Sequence, residues 1–385
     1  MKYGVITHKT TMNLGDDIQT YAAVKLLPHV DYHPARESID NFTSENNEPV
    51  GVLMGAWWLW SKWNWPPAEC IYPLLISMHI NEYDIYTRGS PIKRDWLKGI
   101  GGDYFRAYGP VGCRDTTSME IFKSCGIDHY LSGCLTLTLP KQKKTADAGT
   151  YACLVDLRPE LETKAREWLK DTGLKIVKLS HHCDYRNTDL TFDQRMEKVE
   201  EILTLYQNAK VVITRRLHVT LPCMAMETPV VSIVNLKSPG NYTRWAPYSD
   251  WVHYISEKDF INHAFDYDFN NPPENKSNYL PVRQSLIKQV EQFISETKDL
   301  NEPIQMIKKT AFSEAEARQW QYELMRSTLD KWLHASRRMN AELSKLKKKG
   351  SNSKKSNKLS SFHRCIKFAK RKIKALLRIF GWRRK

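Results

Sequence analysis

The stretch Ala209-Lys210-Val211-Val212-Ile213-Thr214-Arg215-Arg216-Leu217-His218 decides how this chain is read. Val211, Val212 and Ile213 are consecutive β-branched apolar residues, the pattern of a strand covered on both faces. Leu217, Leu221, Met224 and Ala225 then recur at the spacing of a single helical stripe. Two arginines and a histidine stand between them, at the carboxyl end of a strand and the amino end of a helix. In open α/β sheets ligands bind at that edge, and the free N–H groups of a helix start favour anions. Arginine adds a flat fork of donors matched to carboxylate or phosphate, and histidine moves protons near neutral pH. The competing reading is structural: an arginine whose stem covers surface, and a histidine that caps a helix.

Working outward, the same strand–loop–helix grammar recurs. Tyr3 to Thr7 reads as a strand, followed by a polar loop and a helix opened by Gly15-Asp16-Asp17 that carries Ile18, Ala22 and Leu26 on one face. Asn13, Asp16 or Asp17 either caps that helix or faces the crevice, and Gln19 sits in its first turn. Residues 50–55 and 74–79 read as further strands, Gly109–Ser118 as a strand end running into a helix at 119–125, and 131–137 as a strand kinked by Gly133. After a linker at 140–149, strands at 151–157, 174–179 and 228–234 alternate with helices at 159–172 and 193–207, and 280–294 closes the series. This rhythm predicts an α/β chain of two Rossmann-like domains, 1–140 and 150–300, facing a central crevice. A charged helical extension (301–346) and a basic tail (347–385) follow.

Composition limits the function classes. Residues 341–385 hold 17 Lys and Arg against a single acid, Glu342, so the net charge of +15 belongs to the tail and the preceding body is near neutral. The overall basicity therefore gives no reason to expect nucleic acid on the body. The eight cysteines form no Cys-x-x-Cys pair, and His181-His182-Cys183 lacks a second ligand pair, so no metal is expected. No apolar run reaches the length of a membrane span, and the first residues read as a strand rather than a signal peptide; a cytoplasmic location is expected. Trp57, Trp58, Trp60, Trp63 and Trp65 cluster in one loop, suited either to stacking on sugar rings or to packing as hydrophobic surface. In the tail, Phe362, Ile366, Ile373, Leu377 and Phe380 share a helical face flanked by Arg364, Lys367, Lys370, Arg371, Lys374 and Arg378. That pattern predicts peripheral attachment of 362–382 to an anionic membrane surface, with a nucleic-acid or partner-binding arm as the alternative.

Four pieces occur in order: Asn13-Leu14-Gly15-Asp16-Asp17 with Gln19; Gly112-Cys113-Arg114-Asp115 with Ser118; the segment Leu131–Leu139; and Arg216-Leu217-His218 followed by Ala225-Met226-Glu227-Thr228-Pro229-Val230-Val231. Together they resemble the polysaccharide pyruvyl transferase family over residues 3–240. The resemblance implies a GT-B-like fold and transfer of the enolpyruvyl part of phosphoenolpyruvate to a sugar of a glycan or lipid-linked saccharide. A cyclic ketal would result, in exopolysaccharide or cell-surface glycan synthesis. It further implies that Arg216 and His218 hold the donor's carboxylate and phosphate, and that Arg114 is a second anion contact from the facing domain. Asn13 and Asp16 would line the crevice, His218 would move the proton, and Asp16 or Asp17 would serve as base. Lys237, in the loop after the next strand, either reaches the same crevice or is an exposed loop lysine. No cofactor is implied, phosphoenolpyruvate being the donor substrate. The chain departs from many relatives at Cys134, where an Asp follows the glycine in them. The alternatives are a glycosyltransferase using a nucleotide sugar and a non-catalytic glycan- or partner-binding protein on the same fold.

Overall fold

The computed structural model describes residues 1–58, 64–80, 97–183, 188–235 and 244–348. The decisive stretch forms strand β10, Val211–Thr214, at the centre of a five-stranded sheet in the order β12-β11-β10-β8-β9. Its neighbours are β8 (Tyr151–Val155), β9 (Lys175–Leu179), β11 (Val230–Ile233) and β12 (His253–Ile255), all parallel. Every residue of β10 is buried because both faces are covered: Val211 and Ile213 point into one hydrophobic cluster and Val212 into another. The helices α4 (Pro159–Leu169), α5 (Phe192–Asn208) and α6 (Leu217–Ala225) complete this half.

The first half is built on parallel strands β1 (Lys2–Val5), β2 (Val50–Leu53) and β4 (Ile71–Leu74). Two further parallel pairs flank them, β3 (Trp57–Trp58) with β5 (His79–Ile80), and β6 (Val111–Cys113) with β7 (His129–Leu131). Helix α1 (Leu14–Leu26) follows β1, α2 (Ile100–Tyr108) precedes β6, and α3 (Thr116–Ser124) follows it.

Two expected strands are not continuous. The segment 74–79 divides into the end of β4 and the start of β5, because Ser77 takes a left-handed conformation (φ 55°) while its hydroxyl accepts from the Leu135 amide at 3.0 Å. The segment 131–137 stops at Leu131; Gly133 (φ 75°) breaks the extended chain, and Leu135–Thr138 form a short 3-10 turn.

The expected α/β chain with parallel sheets in two halves is what the structure has, though the halves are not insulated from each other. One cluster of buried apolar side chains contains Tyr3, Val5, Ile18 and Leu53 together with Tyr206, Val212, Leu221 and Met224. The helix Leu280–Thr297 returns from the second half to the first, where Tyr3 Oη and Thr297 Oγ1 lie 3.0 Å apart. The long helix Glu314–Lys348 docks on the first half, Gln321 donating to the Trp65 carbonyl at 3.2 Å. Among the described residues no helix is long and apolar enough to cross a membrane. The amphipathic segment expected at 362–382 lies outside the described residues.

Candidate functional site

Sheet register assembles the second-half wall. Val155 of β8 lies opposite both Leu179 of β9 and Thr214 of β10, so Asp156, His181 and Arg216 leave three adjacent strands at one edge. Asp156 is left-handed (φ 50°) and its carboxylate accepts from Ser180 Oγ at 2.7 Å, the His181 amide at 3.0 Å and Arg216 Nε at 2.9 Å. Burial pushes the Asp156 carboxyl up, but these donors outweigh it and hold it below the usual range. Arg216 is thus clamped through Nε, while its terminal nitrogens make no hydrogen bond to any described residue. Arg215 turns aside to Glu257 at 2.9 Å.

The first-half wall comes from two helix starts. Asn13 caps α1, its side chain accepting from the Gly15 amide at 3.2 Å. Asp16, one turn in, accepts from the Thr11 hydroxyl at 2.6 Å and faces Gln19 Nε2 at 3.4 Å. Burial raises the Asp16 carboxyl, yet His8, Arg36, Thr11 and Arg114 together bring it below its ordinary value, so it is ionised at neutral pH. Arg114 leaves β6 and donates to Gln19 Oε1, a neutral partner. The next residue, Asp115, caps α3 through the Ser118 amide at 2.9 Å and is hydrogen-bonded to His79 Nδ1.

Between the walls lies a cavity of about 420 Å³. Asn13, Asp16, Trp57 and Arg114 line it from the first half, and Asp156, His181, Arg215, Arg216, Leu217, His218, Arg244 and Trp245 from the second. His218 lies in the first turn of α6, a helix whose residues are all buried; its Nε2 lies 3.9 Å from Cys134 Sγ. Burial above all, then the charges of Arg114 and Arg244, hold the His218 imidazole well below its ordinary pKa, so it is uncharged at neutral pH. His181 is treated alike: burial lowers it to about 4, and its Nε2 is 2.8 Å from Tyr206 Oη. Among the described residues no group of three or more His, Cys, Asp and Glu could hold a metal ion.

The structure therefore brings Asn13, Asp16, Arg114, Arg216 and His218 to one cavity. Asp17 does not join them. Its carboxylate is buried and points to α5, where Arg195 Nε donates at 3.1 Å, because residues one apart on a helix face different ways. Lys237 lies outside the described residues, as do Trp60 and Trp63. Of the other clustered tryptophans, Trp58 and Trp65 are core residues whose indole N–H groups find backbone carbonyls, and Trp57 reaches the cavity.

Sequence reasoning missed Asp156, His181, Arg244 and Trp245 as cavity residues. Asp156 and His181 follow strands that pair beside β10, so the edge rule could have found them once strand order was known. Arg244 lies in the connection after β11, the segment from which Lys237 was expected to reach in.

The structure thus sets arginines, a buried histidine and helix starts around one crevice of a parallel α/β fold. The chain belongs to the polysaccharide pyruvyl transferase family, whose model matches residues 13–238, and is accordingly a transferase. Solved structures with similar layout include a functionally uncharacterised protein of Klebsiella pneumoniae (14% identity, 66% of this chain and 92% of that one, TM-score 0.37). Others are the heptosyltransferase WaaC of E. coli with ADP (14%, 77% and 99%, TM-score 0.32) and the UDP-GlcNAc 2-epimerase of Methanocaldococcus jannaschii (12%, 84% and 99%, TM-score 0.34). A comparison with curated proteins gave no match.

Proposed function

We propose that this chain transfers the enolpyruvyl group of phosphoenolpyruvate to a sugar of a glycan or lipid-linked saccharide, forming a ketal and releasing inorganic phosphate. The observation that carries the reading is the convergence of Arg114 and Arg216, from opposite halves, on a cavity at the amino ends of α1 and α6. A donor with a carboxylate and a phosphate matches those charges and helix N–H groups.

The reaction needs a proton at C3 of the enolpyruvyl group, which makes C2 electrophilic. One sugar hydroxyl bonds to C2, phosphate leaves, and a second hydroxyl bonds to C2 to close the ketal. Of the two protons lost by the hydroxyls, one balances that gained at C3 and the other departs with phosphate. His218, uncharged at neutral pH, is assigned the proton transfer: a bound polyanion offsets the arginine charges that disfavour its protonation. Asp16, ionised and on the facing wall, accepts from the sugar hydroxyl. Trp57 offers an aromatic surface on the acceptor side.

Thermal stabilisation by phosphoenolpyruvate tests the donor. A saturable shift, about 2.7 kcal/mol at a hundred times the dissociation constant, is expected for wild type and not for Arg216→Ala/His218→Ala. A shift with a nucleotide sugar but none with phosphoenolpyruvate would overturn the reading in favour of glycosyl transfer. The basic apolar segment 362–382 supports a companion proposal, attachment to the cytoplasmic face of an anionic membrane near lipid-linked acceptors. Deleting 360–385 should abolish flotation with anionic liposomes; equal flotation of the deleted chain sinks the idea.

A further inference from the structure

The four arginines of the cavity differ in one respect, which is whether a carboxylate is directly paired with them. Arg215 is paired with Glu257 and Arg216 with Asp156, each at 2.9 Å. Arg114 has only the neutral Gln19 amide, and Arg244 forms no hydrogen bond or ion pair with any described residue. Arg244 is half-buried, and its backbone is anchored from behind. The residue after it, Trp245, is buried, and the short turn Ala246–Tyr248 ends on the fully buried Tyr248, whose hydroxyl donates to the Arg114 carbonyl. Two buried aromatic anchors thus fix the Arg244 backbone, one of them bonded directly to Arg114 of the facing half.

Holding two guanidinium groups in one cavity with neither hydrogen-bonded to an acid is unfavourable, even with the charges of Asp16 and Asp115 acting on both. Burial, then repulsion from Arg114, makes Arg244 less basic than an ordinary arginine, outweighing the attraction of Asp115 and Asp16. The nearby acids are already engaged: Asp115 by His79 and Ser118, Asp16 by Thr11.

We propose that Arg244 is an anion-binding residue of the donor site, acting opposite Arg114, so that one acidic group of the donor is gripped by guanidiniums from both halves. This rests on the phosphoenolpyruvate reading for the identity of the donor, but not for the existence of the anion seat.

The experiment titrates the full chain with three probes, phosphoenolpyruvate, inorganic phosphate and pyruvate, in wild type, Arg244→Gln and Arg244→Lys, with unfolding temperature as the folding control. Because Arg244 bonds to no described residue, both variants should unfold near the wild-type temperature. Arg244→Gln should weaken phosphoenolpyruvate binding by roughly tenfold to a hundredfold, the loss of one charge-assisted contact. Arg244→Lys, keeping charge without the fork, should fall between. Loss of phosphate or of pyruvate binding in Arg244→Gln supports the proposal and tells which acidic group is held. Wild-type affinity for phosphoenolpyruvate in Arg244→Gln overturns it while leaving the donor reading intact. Phosphate binding that depends on Arg244, with no phosphoenolpyruvate binding, supports the anion seat and overturns the donor reading. A wild-type protein that binds none of the three overturns both.

Discussion

At the scale of single residues, the cavity is specified less by the number of arginines than by what each one touches. Gln19 illustrates this: it is buried, spans Asp16 and Arg114, and gives the guanidinium a neutral hydrogen-bond partner in place of a directly bonded acid. Replacing it by the isosteric acid should turn that contact into an ion pair. Gln19→Glu also loses the Nε2 donor that serves the Gly15 carbonyl and Asp16 and sets a second carboxylate beside Asp16, so it is expected to lower the unfolding temperature and to bind phosphoenolpyruvate at least about tenfold more weakly, the worth of one charge-assisted contact. Calorimetric titration checks this; unchanged affinity would remove Arg114 from the donor contacts. Asp156 is the opposite case, an acid that fixes Arg216 through Nε and leaves the rest of the fork open to the cavity.

Among the elements, the first turns of α1 and α6 nearly touch, although they belong to different halves. A Cβ added at Gly15 would stand 3.0 Å from both Cβ and Nδ1 of His218, so the glycine sets how closely the two helix starts approach. Gly15→Ala must push His218 by a few tenths of an ångström, since the neighbour is the near end of a buried side chain. The expected cost is about 1 kcal/mol of stability from overpacking, with a larger fractional fall in turnover than in donor affinity. Steady-state kinetics alongside thermal unfolding would reveal the split. A variant with wild-type turnover would argue that His218 need not be held where it is.

For the molecule as a whole, the shared core ties both walls of the crevice together, and it also buries neutral histidines. Burial lowers His8 and His181 to about 4 each, against 6.5 for an ordinary histidine. The unfolded chain therefore takes up protons first as pH falls, so this stability is fully present above about pH 6.5 and is lost progressively as pH drops towards 4. Each histidine contributes up to about 3 kcal/mol on that scale. Asp17 works in the other direction: burial raises it to about 6 despite Arg195, so it becomes less unfavourable as it protonates. Two histidines outweigh one such acid, and stability should fall by a few kcal/mol between pH 7 and 4.5. Thermal unfolding across that range, with His181→Gln flattening the slope, is the check; a profile independent of pH would contradict it.

The chain itself carried the α/β class, the site edge of β10 and five residues that the structure gathers round the cavity: Asn13, Asp16, Arg114, Arg216 and His218. These were legible because their information is local. A β-branched run, a helical stripe and charged residues at their junction occupy neighbouring positions, and ligands sit at such junctions. Strand order and side-chain direction are not local. The breaks at Ser77 and Gly133 depend on a left-handed backbone and on contacts from distant residues, and the turn of Asp17 towards Arg195 depends on which helix packs beside α1. Asp156 and His181 join the site only because β8 and β9 pair beside β10, and Arg244 only because Tyr248 is bonded to the Arg114 carbonyl. Sequence determined which chemistry the edge of the central strand offers. Tertiary structure decided which of those charges are paired with an acid and which are not, because a guanidinium's partner is set by packing across the crevice.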